Sequence, residues 1–229
     1  MLRGGTRKTF QCNACHHQTS LIARTLFEAT KLGLTVRFLA IYLIGEAKTG
    51  LSALALKRDL GVSYPTAWLS HHKLMQAMVE REAATVLFGT VQVDDAYLGG
   101  ELVNGAAGRD SENKVSFVGA VSLNDQGHPL RAKFTSLSGF PTVVGTRKPR
   151  DLPMFRWVNT VLGNLKTSFN GAYHSFDFSK YAARYLGAIA FRFNRRFDLR
   201  TLPTRLLVAA TACGPRPESW IRRVADVPC

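Results

Sequence analysis

The segment Val91-Gln92-Val93-Asp94-Asp95-Ala96-Tyr97-Leu98-Gly99-Gly100 places two carboxylates at the end of an alternating apolar run. An acid at the exit of a buried strand is costly unless it is exposed or holds a cation. Carboxylates suit Mg²⁺, a hard cation that takes oxygen ligands. A pair of such ions can clamp both the attacking and the leaving oxygen of a phosphodiester. A strand-end turn with two solvated aspartates has the same pattern. A second set lies in Arg156-Trp157-Val158-Asn159 to Lys166. On a helix, Asn159 and Lys166 share a face. The amide offers a neutral oxygen to a cation and the ammonium can hold a phosphate, although an ordinary surface Asn and Lys fit equally well. A third set is Cys12-Asn13-Ala14-Cys15. Structural zinc takes four ligands, commonly from two such pairs. Here there is one pair. His16 and His17 are too close to complete it, and Cys213 and Cys229 are distant and lack pair spacing.

These residues need elements to position them. Leu34, Phe38, Ile41 and Leu43 predict a helix over 34–46. Ser52 caps a second helix over 52–59, and Gly61 makes a tight turn. Ser63 caps a third, over 65–82, with Pro65 in its first turn. Helix, short turn, helix is the arrangement whose second helix enters the DNA major groove. Tyr64, Thr66, Ser70, His71 and Lys73 are its candidate exposed residues. Residues 90–94, 114–122 and 129–135 alternate as strands, the second and third joined at Asn124–Gly127. Helices are predicted over 155–167 and 176–193. Phe191, Phe193 and Phe197 alternate with Arg192, Arg195 and Arg196, a pattern that fits core packing better than a DNA-facing surface. From Thr201 the pattern is mixed.

The chain has 229 residues and a formal net charge of +14. Residues 1–139 carry 15 basic and 11 acidic side chains, and residues 140–229 carry 15 and 5. Such an excess points to a polyanion, most often nucleic acid. Four cysteines exclude a disulfide scaffold. The apolar run around Leu39 to Ile44 is too short to span a bilayer, and the first ten residues lack a signal-peptide core. No membrane partner is expected, and the cytosol is the expected compartment.

Several of these segments occur together in one family. Phe10-Gln11-Cys12-Asn13-Ala14-Cys15-His16-His17-Gln18-Thr19-Ser20, Val93-Asp94-Asp95-Ala96-Tyr97-Leu98-Gly99-Gly100, and Trp157-Val158-Asn159-Thr160 to Lys166 with Gly171-Ala172-Tyr173-His174 resemble, in order, a bacterial insertion-sequence transposase of the ISXO-like group. The resemblance implies an α+β chain: a zinc ribbon, a helix-turn-helix, then an RNase H-like domain of the DDE type with Asn as the third member. It implies metal-dependent DNA strand cleavage and transfer with Mg²⁺ or Mn²⁺. Asp94 matches the first catalytic and metal-binding Asp, Asn159 the third metal position and Lys166 the basic residue after it. Its implied partners are the terminal inverted repeats and target DNA, with a homo-oligomer as a further expectation. Arg147, Lys148, Arg150, Arg195 and Arg196 join the residues above as DNA-binding candidates.

The chain departs from that pattern twice. The second catalytic Asp should sit on a fourth strand reached through a helix. Only about 20 residues separate Thr135 from Phe155, too few for a helix, two strands and their loops. Asp151 is the only acid between Asp125 and Asp177, and its surroundings match a later family segment. An internal deletion near 139–142 is therefore expected, leaving three antiparallel strands plus C-terminal helices. The single Cys pair reads as the second half of a ribbon whose first half would precede Met1, a half site that is not expected to bind Zn²⁺. The expected organisation is a partial ribbon over 1–20, a helix-turn-helix region over 21–86, an incomplete RNase H-like domain over 87–200 and a basic tail over 201–229. A copy inactive in transposition is expected, with a non-catalytic DNA-binding remnant or an inhibitor of an intact transposase as the alternative.

Overall fold

The computed structural model describes residues 9–98, 115–137, 153–173 and 176–223. A small hairpin pairs β1 (Thr9–Gln11) with β2 (Gln18–Ser20). Three helices follow: α1 (Leu34–Glu46), α2 (Ala53–Leu60) and α3 (Tyr64–Ala83). Their ends are set locally. The Ser52 hydroxyl accepts from Ala55 N at 3.1 Å and starts α2. Gly61 ends it at φ +65°, a left-handed conformation that suits glycine. The Ser63 hydroxyl then accepts from Thr66 N, and Pro65 sits in the first turn of α3.

β3 (Val91–Leu98), β4 (Val115–Leu123) and β5 (Pro129–Ser136) form one antiparallel sheet in that order. The Asn124 carboxamide closes the β4–β5 turn, accepting from the backbone N–H groups of Gln126 and His128. Strand alternation sorts the side chains. Ala96, Leu98, Phe117, Val121, Ala132 and Phe134 are buried, whereas Val91 and Val93 on the opposite face are exposed. The α+β class and the three-stranded sheet agree with the sequence reading.

Two long helices cover the buried face: α4 (Arg156–Ala172), entered through a 3₁₀ turn at Pro153–Phe155, and α5 (Phe178–Phe193). Leu162 of α4 lies on Gly119, where a Cβ would come within 2.9 Å of its methyl. Asn194, just after α5, exchanges hydrogen bonds with the Ala132 backbone on β5. α3 is the hub. It packs on α2, α5 and α6, and Gly187 of α5 lets Val79 approach. Buried Arg184 of α5 donates to Gln76 of α3 and to the Ile221 carbonyl, tying in α7 (Glu218–Ile221).

The reading of 201–229 as a basic tail needs correction. Residues 202–212 form α6, which buries Leu202, Leu206, Ala209 and Ala210 against α1 and α3. The four apolar positions recur at 4-, 3- and 1-residue steps over only three turns, too short a run to stand out beside Pro203 and two arginines.

Candidate active site and nucleic-acid interface

Asp94 lies mid-way along β3, half-buried, on the face that α4 covers. Its register partner on β4 is Gly119. Two contacts fix α4 here. The Gln92 side-chain oxygen accepts from Trp157 N at 3.1 Å and Val158 N at 3.0 Å. Phe155, at the N-cap of α4, has no side-chain bond to offer, so a strand residue satisfies two of the helix's orphan donors. One turn later Leu162 rests on Gly119. Val158 thus lies at Gln92 and Leu162 at the register partner of Asp94, with half-buried Asn159 between them along the helix. The first turn of α4, with its partial positive charge, adjoins a strand carrying a carboxylate. Lys166 lies two turns further on and is exposed.

The donor set is small. One Asp94 oxygen accepts from the Asp95 backbone N–H at 2.9 Å. Among the described residues no group of three His, Cys, Asp or Glu converges. Among the described residues, one carboxylate and one amide are fewer oxygen donors than a pair of Mg²⁺ ions takes. Asp151 and the 139–142 junction lie outside the described residues, as do Arg147, Lys148, Arg150, His174 and Cys229.

Cys12 and Cys15 sit in the turn of the β1–β2 hairpin, both exposed. The turn is closed by Cys12 N to His17 O and His16 N to Cys12 O. Backbone N–H groups of Cys15 and Ala14 aimed at the Cys12 sulfur lower its thiol pKa, helped by the Cys15 side chain. This is thiolate-stabilising geometry, yet two thiols supply half of a tetrahedral zinc site.

The candidates on α3 divide. Tyr64 is exposed in the first turn, and Thr66 is half-buried with its hydroxyl 2.8 Å from that of Ser63. Ser70 turns back to the Thr66 carbonyl, and Lys73 reaches the Leu26 carbonyl at 3.5 Å. His71 is not on the surface. It is 1% exposed, ringed by His72, Tyr173 and Tyr185, and burial pushes its imidazole down to about 4. Helical periodicity places His71 on the face that α5 covers, which local sequence does not reveal. Arg195 is engaged as well, pairing with Glu82 and stacking on Phe191 at 3.7 Å. Arg196 donates to the Leu130 and Pro129 carbonyls and lies over Phe193 and Phe197. Both arginines hold the end of α5 against its neighbours. Phe191 is fully buried and Phe197 exposed, so the aromatic run is core at one end only.

Sequence reasoning missed Gln92, whose partners lie 65 and 66 residues away. It also missed Glu82, which binds Arg195, Asn194 and Thr85 from a buried position. No helix among the described residues is long and apolar enough to cross a membrane.

Residues 141–194, the stretch containing α4 and α5, match the family model of the ISXO2-like transposase domain. The match takes in 54 of the 229 residues. No curated protein and no solved structure gave a significant match. Transposases of the DDE type generally use a divalent metal and act on DNA, and the matched segment carries the helix that faces Asp94. Residues 141–194 are thus similar to the ISXO2-like transposase domain.

Proposed function

We propose that this chain descends from an enzyme of metal-dependent DNA cleavage and strand transfer and has kept the DNA binding without the catalysis. The observation that carries this is that Asp94 lies on the β3 face that α4, the helix of Asn159, covers, with no group of three acids or other ligands converging there among the described residues. In this reading Asp94 and Asn159 are the remaining metal-site positions, and Lys166 the basic residue that would hold a phosphate. The second Asp was lost with the strand that an internal deletion near 139–142 removed. Without it the developing charge at a transferring phosphoryl group would go uncompensated, and large rate losses follow.

DNA binding rests on α2, the Gly61-Val62-Ser63 turn and α3, read as a helix-turn-helix. Tyr64 and Thr66 at the start of α3 face outward enough to reach base edges or phosphates. Arg147, Lys148 and Arg150 add charge within the family-matched segment. The formal charge of +14 supplies the non-specific attraction. The chain would then act as a DNA-binding remnant, able to occupy the ends that an intact transposase uses. The β1–β2 turn is read as half of a zinc ribbon.

The test is a cleavage and strand-transfer assay on the element's own ends, with Mg²⁺ or Mn²⁺, beside Asp94→Ala. Binding with no cleavage above the Asp94→Ala level is expected. Metal-dependent cleavage that disappears in Asp94→Ala would overturn the loss of catalysis, and Asp151→Ala would then show whether that acid completes the site.

A further inference from the structure

A cleft of about 120 Å³ opens between the last turn of α3, the end of α5 and the first turns of α6. It is lined by Arg81, Arg195, Thr204, Arg205 and Val208. Three guanidinium groups from three elements meet there. Arg81 is exposed and has no hydrogen-bond or ion-pair partner among the described residues. Arg195 is fixed by Glu82 and by the Phe191 ring beneath it. Arg205 pairs with Asp198 at 3.2 Å and with the Thr201 hydroxyl at 2.9 Å. Both ends of the Arg205–Asp198 pair are about half exposed, so water screens it and little is lost by sharing the guanidinium.

The opposing charge is smaller. Glu82 and Asp198 are the two carboxylates paired with these arginines, which leaves one cation in excess. The Thr201 hydroxyl, at the start of α6, accepts from Arg205 and holds that guanidinium at the cleft. Thr204, in the same turn, is exposed. Guanidinium forks and a hydroxyl together suit a tetrahedral oxyanion. Val208, 53% exposed on the cleft wall, offers an apolar edge of the kind a sugar ring can lie against.

We propose that this cleft binds a backbone phosphate of a nucleic-acid strand, with Arg81 and Arg205 as the movable clamps and Arg195 as the fixed one. The proposal rests on the DNA-binding reading above and adds a contact remote in sequence from the start of α3. Phosphate contacts of this kind carry no sequence information and set the register of the protein on the duplex.

The test measures binding of a short labelled duplex against salt concentration for the whole chain, for the Arg81→Ala/Arg205→Ala double variant, and for Arg223→Ala as a control. Thermal melting checks that each is folded. Losing one phosphate contact should make the plot of log K against log salt shallower by about 1 in the double variant and leave the control unchanged. An unchanged slope and affinity in the double variant, with the parent chain binding, would overturn this contact alone. Failure of the parent chain to bind any duplex would overturn the DNA-binding reading and this contact with it. A parallel titration with inorganic phosphate separates the sources. Phosphate that stabilises the parent but not the double variant, with no change in duplex slope, would mean a small-anion site and would also overturn the proposal.

Discussion

Gln92 decides where α4 begins. Its carboxamide oxygen takes two backbone N–H groups that no residue near the helix start could satisfy. Gln92→Leu would keep the bulk and leave both donors unpaired in a buried setting. An unsatisfied buried donor costs about 1–3 kcal/mol, so a loss of roughly 2–4 kcal/mol is expected in urea unfolding. Gln92→Glu keeps the acceptor and places negative charge at a helix N-terminus, so it should recover most of that loss at neutral pH. If the leucine variant matched the parent, the helix start would be held by other contacts. The contrast with Ser52 and Ser63 shows what sequence makes legible. Each serine acts on a donor three residues away, so the starts of α2 and α3 are written locally. Asp94 is legible as a strand acid for the same reason, and α4 is legible as a helix. That Gln92 joins them depends on a contact spanning 65 residues, and no local pattern encodes it.

At the scale of elements, the α3–α5 contact carries an unusual load of buried polar rings. His72 stacks against Trp68 at 4.2 Å and Tyr181 at 4.9 Å and lies edge-on to Tyr185. Burial, with His71, Arg184 and Arg222 nearby, pushes its imidazole down to about 2. His71 is held down to about 4 by burial and by Arg192. Tyr185, from α5, has its phenol raised, first by burial and then by Tyr173, Tyr64 and Tyr181, so it stays neutral here. Both histidines are neutral in the fold and protonate near pH 6.5 when unfolded. The unfolded chain therefore binds more protons below that pH, and stability falls as pH drops from about 6.5 toward 4. Each histidine contributes up to about 1.4 kcal/mol per pH unit within that window. His72→Phe retains an aromatic ring among its aromatic neighbours and removes one titration. Its melting temperature should fall less steeply between pH 6.5 and 4 than that of the parent, and equal slopes would show that His72 is not buried neutral. His71 reads in sequence as an exposed candidate, because which stripe of α3 meets α5 is fixed only when the two pack.

At the scale of the molecule, the chain has a helical region, α1 to α3, and a sheet region, and one hydrophobic core runs through both. Leu56 of α2, Met75 and Met78 of α3, Phe191 of α5, Leu206 of α6 and Phe117 of β4 all belong to it. α3 is shared by construction: it packs on α2 and also lies against α5 and α6. α6 reaches back to the start of the chain, where Leu26 N donates to the Ala210 carbonyl at 3.2 Å. Gly50, at φ +99°, sits where any side chain would collide with the Tyr173 ring at the end of α4, so the α1–α2 loop is seated on the sheet-side helices too. A small helical unit of this size has too little core of its own once those contacts are removed. A fragment of residues 21–86 is therefore expected to lack cooperative unfolding, and the full chain to melt in one transition. Trp68 reports on α3 and Trp157 on the α4–β3 junction, so single-tryptophan variants read the two halves separately. Coincident midpoints are expected from both probes. Separate midpoints, or a 21–86 fragment that melts cooperatively by itself, would mean that the N-terminal helical unit folds apart from the sheet.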